Sequence, residues 1–442
     1  MNTKVTTSTF LNTTVRGVAA ATALCCASLA HAQVPAPGVT LYGLADVGIT
    51  SVSGLKAGTV TQVASGIMEG SRWGMKGNED LGGGYKAIFT LESRVELDTG
   101  SNNSAPITGG QLSDQYSYAT LLGLPPAFAA PPAPTTQQVL DQLVPVLASQ
   151  KYGVNVGPYG NRLFDRQAFV GLITPVGAVL AGRMYTPAFE TNSIFDIMET
   201  QSGLAAGQLV SFPAILEIRQ SNSIAYRLAK DGYSGSFMYS LGDRGETAKD
   251  DSRMLGFNAS YSGNGFAVGL GHNATKNELG QGSLKTTVLG VSMTTGPHKF
   301  SGMAIDISDK NPANMGDIGG AVLLKTGSAP LAKLIQDAYT NALKQDGRLY
   351  HIGYRYNTGP HTVSVAYNTF NDQRLANADV KSYGAAYTYA LSKRTDLNAV
   401  LVRYDNGDRG QAAPGGNGYL GGVTASAGTD STGLALGIRH RF

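Results

Sequence analysis

The chain has 442 residues, and its 57 glycines make glycine nearly twice as frequent as in an average protein. Its 34 basic and 31 acidic residues nearly cancel, so bulk charge favours neither a nucleic acid nor a strongly acidic partner. Both cysteines, Cys25 and Cys26, lie close to the N-terminus, which excludes a fold held together by disulfides.

The first 32 residues are predicted to be a secretory signal peptide. Lys4 and Arg16 precede an apolar run over 17–30, and the sequence AHA at 30–32 matches an A-x-A cleavage pattern. The run is shorter than the roughly 20 residues that a helix needs to cross a bilayer, which disfavours a membrane anchor. Cleavage leaves Gln33 as the first residue of an exported domain that spans 33–442.

Apolar and polar side chains alternate along several segments of this domain, most clearly over 85–96, 350–357, 383–389 and 434–442. In 85–96 all four charges have the same parity, so they share one face of a strand. A charge that faces the middle of a bilayer costs roughly 2–4 kcal/mol, so this sorting predicts strands between lipid and water. A secreted soluble β-protein also sorts its charges and is the alternative. The segment 395–405 does not sort cleanly, and its facing is left open.

Connections between the segments alternate between short and long. Seven short turns are rich in Gly, Pro, Asn or Asp, or are at least polar, near 78–83, 174–176, 230–232, 263–265, 296–297, 357–360 and 391–394. Eight longer loops cover about 50–70, 97–163, 185–218, 242–252, 274–283, 307–347, 371–379 and 406–432. Together they connect sixteen strands. The pattern predicts an all-β fold, a closed transmembrane antiparallel β-barrel that leaves no strand edge exposed to lipid.

Motifs along this pattern resemble the general-diffusion outer-membrane porins of beta-proteobacteria. They are VTLYGLAD at 39–46, SRWG at 71–74, NEDLGGG at 78–84, VGL at 170–172, GR at 182–183, YTP at 185–187 and the terminal Phe442. They occur in family order along essentially the whole exported domain. The resemblance implies a homotrimer of sixteen-stranded barrels in outer-membrane lipid. Each barrel would hold a water-filled pore, narrowed by an inward-folded third loop, for small hydrophilic solutes and ions.

Strand parity places Arg72 and Arg94 on the inner face of the barrel. The resemblance implies that these two and Arg183 line one side of the constriction. The third loop supplies three acids to face them, which are Glu190, Asp196 and Glu199. Opposed charges across a narrow aqueous gap create a transverse field, and the arginines predict a weak anion preference. The alternative for each of these charges is a salt bridge in the wall with no role in selectivity.

The second and sixth loops, 97–163 and 307–347, run longer than the family pattern and contain apolar residues at helical spacing. They either pack on the rim or against each other, or they form a lid or docking surface. In the alternative function, the lumen is occluded and the barrel acts as a surface binding or adhesion protein through these two loops.

Motifs of enzymes and cofactor sites give no support for catalysis. The sequence GNGYLG at 416–421 matches G-x-G-x-x-G, but no strand–turn–helix context surrounds it. The five histidines of the exported domain are scattered singly, without the spacing of metal ligands. We therefore expect a protein that is not an enzyme and that binds no cofactor, metal or nucleic acid.

Overall fold

The structure is a computed structural model that describes residues 38–102, 112–128, 134–148, 162–209, 218–242, 253–313, 315–415 and 422–442. The predicted signal peptide and the G-x-G-x-x-G segment lie outside these residues. None of the helices within them is both long and apolar enough to span a bilayer.

Seventeen strands among the described residues form one antiparallel sheet. Their bounds are β1 Gly38–Leu55, β2 Gly58–Ser65, β3 Arg72–Gly82, β4 Tyr85–Arg94, β5 Gln167–Thr174, β6 Gly177–Tyr185, β7 Arg219–Lys230, β8 Tyr233–Ser240, β9 Met254–Gly263, β10 Phe266–Lys276, β11 Gly282–Thr295, β12 His298–Asp309, β13 Gln345–Thr358, β14 His361–Asp372, β15 Val380–Ala390, β16 Thr395–Asn406 and β17 Ser431–Arg441. The helices are α1 Asp114–Ser117, α2 Thr136–Ala148, α3 Pro187–Phe195, α4 Met315–Thr326 and α5 Ala329–Ala342, with a 3₁₀ turn at Ala206–Gln208.

The sheet closes into a barrel with sixteen wall positions, as the sequence predicts. Strand β1 pairs with β17 on one side, from Leu44 opposite Arg441 to Val52 opposite Gly433. On its other side, β1 pairs with β2 at one end and with β3 at the other. Strands β2 and β3 therefore lie end to end beside β1 and count as one of the sixteen strand positions around the barrel. The predicted first loop at 50–70 was wrong in extent, because only 56–57 and 66–71 lie outside the strands in this range.

Asp46 holds this interruption of the wall in place. Its carboxylate accepts hydrogen bonds from the backbone N–H groups of Ile67, Met68 and Glu69, at 3.1, 3.0 and 2.7 Å. A carboxylate that accepts several amide hydrogen bonds fixes a tight backbone turn. Ile67 and Met68 of this turn are buried, and the turn places Glu69 where it forms an ion pair with Arg72.

In the segment 395–405, whose apolar and polar residues do not alternate cleanly in the sequence, the strand nevertheless has a regular inner and outer face. Leu397 and Leu401 point outwards and are exposed, while Val400, Val402 and Tyr404 point inwards and are buried. The inner residues are apolar because the third loop covers them, and the Tyr404 hydroxyl donates to the Gly203 carbonyl oxygen at 2.8 Å. An apolar inner face therefore marks where the loop lies on the wall.

The third loop folds into the barrel, as predicted. It begins with α3, where the Thr186 side chain accepts from the Phe189 N–H and Pro187 occupies the first turn, both typical of a helix N-terminus. Helix α3 packs along the inside of β8 to β12. The chain then continues along the wall to the interruption between β2 and β3, where the Ser202 N–H donates to the Met68 carbonyl oxygen at 2.9 Å.

A second apolar core is formed by residues beyond the ends of the strands and joins the helices of the second and sixth loops. It contains Leu112, Tyr116, Ala119, Leu122, Leu124, Val139, Leu140, Leu143, Met315, Ile318, Val322, Ala332, Ile335, Tyr339 and Leu343. The structure therefore shows the helices of the two loops packed against each other.

Candidate pore constriction

Two predicted arginines lie side by side on the inner wall. Arg72 on β3 is the cross-strand partner of Arg94 on β4. The Arg72 guanidinium pairs with Glu69, and its Nε lies 3.5 Å from Glu92. Arg94 lies 3.3 Å from Glu96 and 3.6 Å from Asp165. Inward parity is thus as expected, but both arginines are ion-paired within the wall and only 9% and 7% exposed.

The third predicted arginine, Arg183 on β6, is half-buried and lies on the same side of the barrel. Its Nε donates to the Asp165 carbonyl oxygen at 2.6 Å, and its Nη1 donates to the Ser221 hydroxyl at 2.9 Å. Asp165 therefore links two of the predicted arginines, since its carboxylate contacts Arg94 and its carbonyl contacts Arg183.

Two further arginines, which the sequence analysis missed, complete this row. Arg166 donates from Nε to Glu92 at 2.7 Å and from Nη2 to the Tyr185 hydroxyl at 3.1 Å. Arg219 donates to the same hydroxyl at 3.2 Å, and its guanidinium carbon lies 4.7 Å from the centre of the Tyr185 ring. Both lie where a loop meets a strand, and there the alternation of side chains does not predict which face of the wall a residue is on. The YTP motif at 185–187 was the available signal, because Tyr185 holds both side chains.

We refer to Arg72, Arg94, Arg166, Arg183 and Arg219 as the arginine wall. Among the described residues, four carboxylates form ion pairs with it, Glu69, Glu92, Glu96 and Asp165. Glu69 is shared, because it also contacts Arg439 at 3.2 Å and Arg441 at 3.5 Å. Burial would raise the pKa of Glu69, but Arg72 and Arg439 lower it to about 2. The arginine wall thus retains an excess of positive charge.

The three predicted loop acids have different surroundings. Glu190 lies 2.5 Å from Arg227 and accepts from the Asn258 side chain at 3.1 Å, so it is turned towards β7 and β9. Glu199 pairs with Arg355 on β13. Both carboxylates are thus neutralised by the wall on which the loop lies. They do not reach the arginine wall.

Asp196 has a different role from the one predicted, because it is fully buried inside the loop. Its carboxylate accepts from the backbone N–H groups of Met198, Thr200 and Ala206, at 2.9, 3.3 and 3.1 Å. It therefore shapes the loop backbone and presents no charge to the lumen. It does set the position of Glu199, which lies three residues along the chain.

Burial and ion pairing shift the pKa values of these loop acids in opposite directions. Burial raises the pKa of Asp196, and it raises the pKa of Glu190 despite the nearby Arg227. Burial acts in the same direction on Glu199, but the Arg355 guanidinium lowers the pKa of that group overall. Of the three, Glu199 is the acid most firmly held in its charged form.

His351 and Asn368 attach the loop to the wall. His351 Nε2 accepts from the Ile197 N–H at 3.0 Å, so Nδ1 carries the proton and donates to Asn368 Oδ1 at 2.6 Å. The Asn368 amide in turn donates to the Leu204 carbonyl oxygen at 3.0 Å. These contacts fix the loop on β13 and β14 and keep its backbone polar groups paired.

Glycines on the inner wall make room for the loop. A side chain at Gly269 or Gly290 would collide with the Phe195 ring, and one at Gly353 would collide with Ile197. These glycines are contact positions that allow α3 and the residues after it to lie close to the strands.

Replacing Gly290 with alanine should therefore reduce single-channel conductance. The new Cβ would displace Phe195 from the wall, and the loop can retreat only into the lumen. Gly302→Ala is the matched control, since the nearest atoms to a Cβ there are 3.8 Å away. Equal conductance for the two variants would show that the loop does not rest on Gly290.

Metal binding has no support in this site. Among the residues that the structure describes, no cluster of three or more His, Cys, Asp or Glu side chains could hold a metal ion. The described part of the site places the arginine wall on one side of the lumen and the inward loop on the other.

A closed sixteen-position barrel, with a loop folded into its lumen and charged side chains around it, has the architecture of a diffusion channel. A family model described as Gram-negative porin matches residues 17–409. The chain belongs to the Gram-negative porin family. It is an outer-membrane β-barrel, and it forms a diffusion channel.

Similar proteins share this architecture over nearly their whole length. The chain is 25% identical over 421 residues to "Outer membrane porin protein 32" of Delftia acidovorans, covering 91% of this chain and 94% of that protein. The structure of "Anion-selective porin from Comamonas acidovorans" aligns with a TM-score of 0.63 and 23% identity, covering 92% and 99% of the two chains. An OmpT structure of Vibrio cholerae, described as a trimer form, aligns with a TM-score of 0.53 and 12% identity, covering 92% and 99%. The two structural likenesses show a shared fold.

Proposed function

We propose that this chain forms a homotrimer of passive channels for small hydrophilic solutes and ions, with a weak anion preference set by the arginine wall. The observation that carries the proposal is the excess of guanidinium groups on one side of the lumen, opposite a loop whose acids are neutralised or buried. We also propose that the protein has no catalytic role.

The physical basis of the preference is the net charge beside the aqueous gap. A low-dielectric wall focuses the field of its charges into the water, so the sign of the excess charge sets the local concentration of each ion. Arg183 and Arg219 are the half-buried members of the arginine wall, while Arg72 and Arg94 are buried in ion pairs. The relative whose structure is described as anion-selective agrees with this sign.

The proposed trimer has candidate contact residues on the outer face of the barrel. Trp73 and Met75 alternate with the inward Arg72 and Gly74 on β3. The Trp73 ring lies 6.1 Å from Phe164 in an edge-on arrangement, which forms an aromatic surface near the first strands. The OmpT structure described as a trimer is consistent with such an assembly in this fold.

Purified protein in planar bilayers should open in groups of three equal conductance steps. On a gel, unheated protein should migrate as a trimer, and boiled protein should migrate as an unfolded monomer. Single isolated steps together with monomer migration would contradict the trimer. A correctly folded but silent trimer would instead favour the alternative, an occluded barrel that binds a partner through its second and sixth loops.

A further inference from the structure

The second and sixth loops leave the barrel at opposite sides. Counting wall positions from β1, with β2 and β3 as one position, the second loop joins positions 3 and 4 and the sixth joins positions 11 and 12. These points are eight positions apart on a ring of sixteen, so they are diametrically opposed. Helices from opposite rims that share one apolar core must meet above the lumen.

The contacts between the two loops are those of a packed interior. The Tyr339 side chain on α5 is fully buried, and its hydroxyl donates to the Tyr116 carbonyl oxygen on α1 at 2.7 Å. The Tyr116 ring is 1% exposed. Leu140 on α2 and Ile318 on α4 are completely buried in the same core. A shared core of this kind holds the two loops together as one unit.

The lengths of the helices are compatible with a bridge across the mouth. Sixteen tilted strands make a barrel about 30 Å across. Helix α5 has 14 residues and is about 21 Å long, and α2 has 13 residues and is about 20 Å long. Helical segments that start at opposite rims can therefore meet without extended linkers.

Two more loops fix this unit to the rim. Arg374 in the seventh loop donates to the carbonyl oxygens of Ala342 and Lys344, at 3.1 and 2.9 Å, at the end of α5. Asp372 orients it, with an Nε–oxygen distance of 2.7 Å. In the eighth loop, the Gln411 side chain accepts from the Asp114 N–H at 2.6 Å. Four of the long loops are thus tied together.

We propose that residues 112–128, 134–148 and 315–343 form a mouth cap, which acts as a size filter on the extracellular side before solutes reach the constriction. This inference rests on the proposed function as an open channel. The third loop limits solutes from either side of the membrane, whereas the mouth cap limits only those that arrive from outside. Small ions pass around its edges, and bulky solutes are excluded.

Polymer exclusion measured from each side separately tests the mouth cap. Polyethylene glycols of increasing mass are added to one side of a single channel, and those that enter the pore lower its conductance. For the wild type, the largest polymer that enters should be smaller from the extracellular side than from the periplasmic side. Tyr339→Ala, which removes the ring that joins the loops, and Arg374→Ala, which frees the end of α5, should both raise the extracellular limit and leave the periplasmic limit unchanged.

Lys333→Ala is the matched control, because Lys333 is exposed on α5 and pairs with Asp337, which is also exposed. It should keep the wild-type limits. Equal limits from both sides in the conducting wild type would overturn the mouth cap and leave the proposed channel intact. A silent wild type would overturn both. If Tyr339→Ala yields no folded barrel on the gel, Arg374→Ala decides, and an unchanged extracellular limit in that variant rejects the proposal.

Discussion

Replacing Arg72 and Arg94 with alanine should shift the reversal potential towards cation preference under a salt gradient. Each substitution leaves carboxylates behind, namely Glu92 beside Arg72 and Asp165 beside Arg94. The field in the gap follows the net charge of the whole cluster, so ion-paired arginines contribute although little of their surface is exposed. A unit charge about 4 Å from an ion contributes about 1 kcal/mol in water, which corresponds to roughly fivefold in relative permeability.

Arg403→Ala is the control for this shift, because it removes one guanidinium charge from the outer face of the barrel, the same change as each of the two single substitutions makes on the inner face. Arg403 is exposed there and pairs with Asp405 and Asp430. The control should leave the reversal potential unchanged, and the effect of Arg72→Ala should shrink at high salt, where charges are screened over a few ångströms. Equal reversal potentials for the control and the double variant would remove Arg72 and Arg94 from the selectivity mechanism.

Replacing Asp196 with alanine should give a smaller and noisier single-channel conductance, because a loop released from the wall moves into the lumen. The change leaves the N–H groups of Met198, Thr200 and Ala206 without their acceptor. Each buried donor without a partner costs about 1–3 kcal/mol, so the loop should leave its fixed position on the wall. The barrel should remain folded, because none of these groups belongs to the strands.

Two companion variants make this result specific to the loop. Asp196→Asn keeps one oxygen acceptor and should have an intermediate effect. Asp306→Ala removes an exposed acid from the outer face of β12 and should match the wild type. A quiet, wild-type conductance in Asp196→Ala, in protein that shows normal heat-dependent migration, would show that the loop is held by other contacts.

The barrel was predictable because side-chain alternation and turn chemistry are local. The inward facing of Arg72 and the outward facing of Leu436 follow from parity alone, and the structure agrees with both. The interruption between β2 and β3 was not predictable, since it depends on the Asp46 carboxylate meeting amides more than twenty residues away. The apolar inner residues of 395–405 were likewise not predictable, because they depend on the third loop, which covers Val400 and Tyr404.

The constriction was predictable in part, for a physical reason. Sequence parity gives the direction of a side chain in a strand, but it says nothing of a side chain in a loop. Arg166 stands just before a strand, and Asp196 lies in a loop that folds back on itself, so both depended on tertiary contacts. The resemblance supplied Arg183, whose strand alternation is unclear in the sequence.

The sign of ion selectivity in the wild-type channel tests the central claim most directly. A single trimer is held between two potassium chloride solutions of different concentration, and the potential at zero current is recorded. If surplus guanidinium charge governs the channel, it is more permeable to chloride than to potassium, and the zero-current potential shifts towards the equilibrium potential of chloride. A zero-current potential shifted towards the equilibrium potential of potassium, or a folded protein that passes no current, would contradict the account.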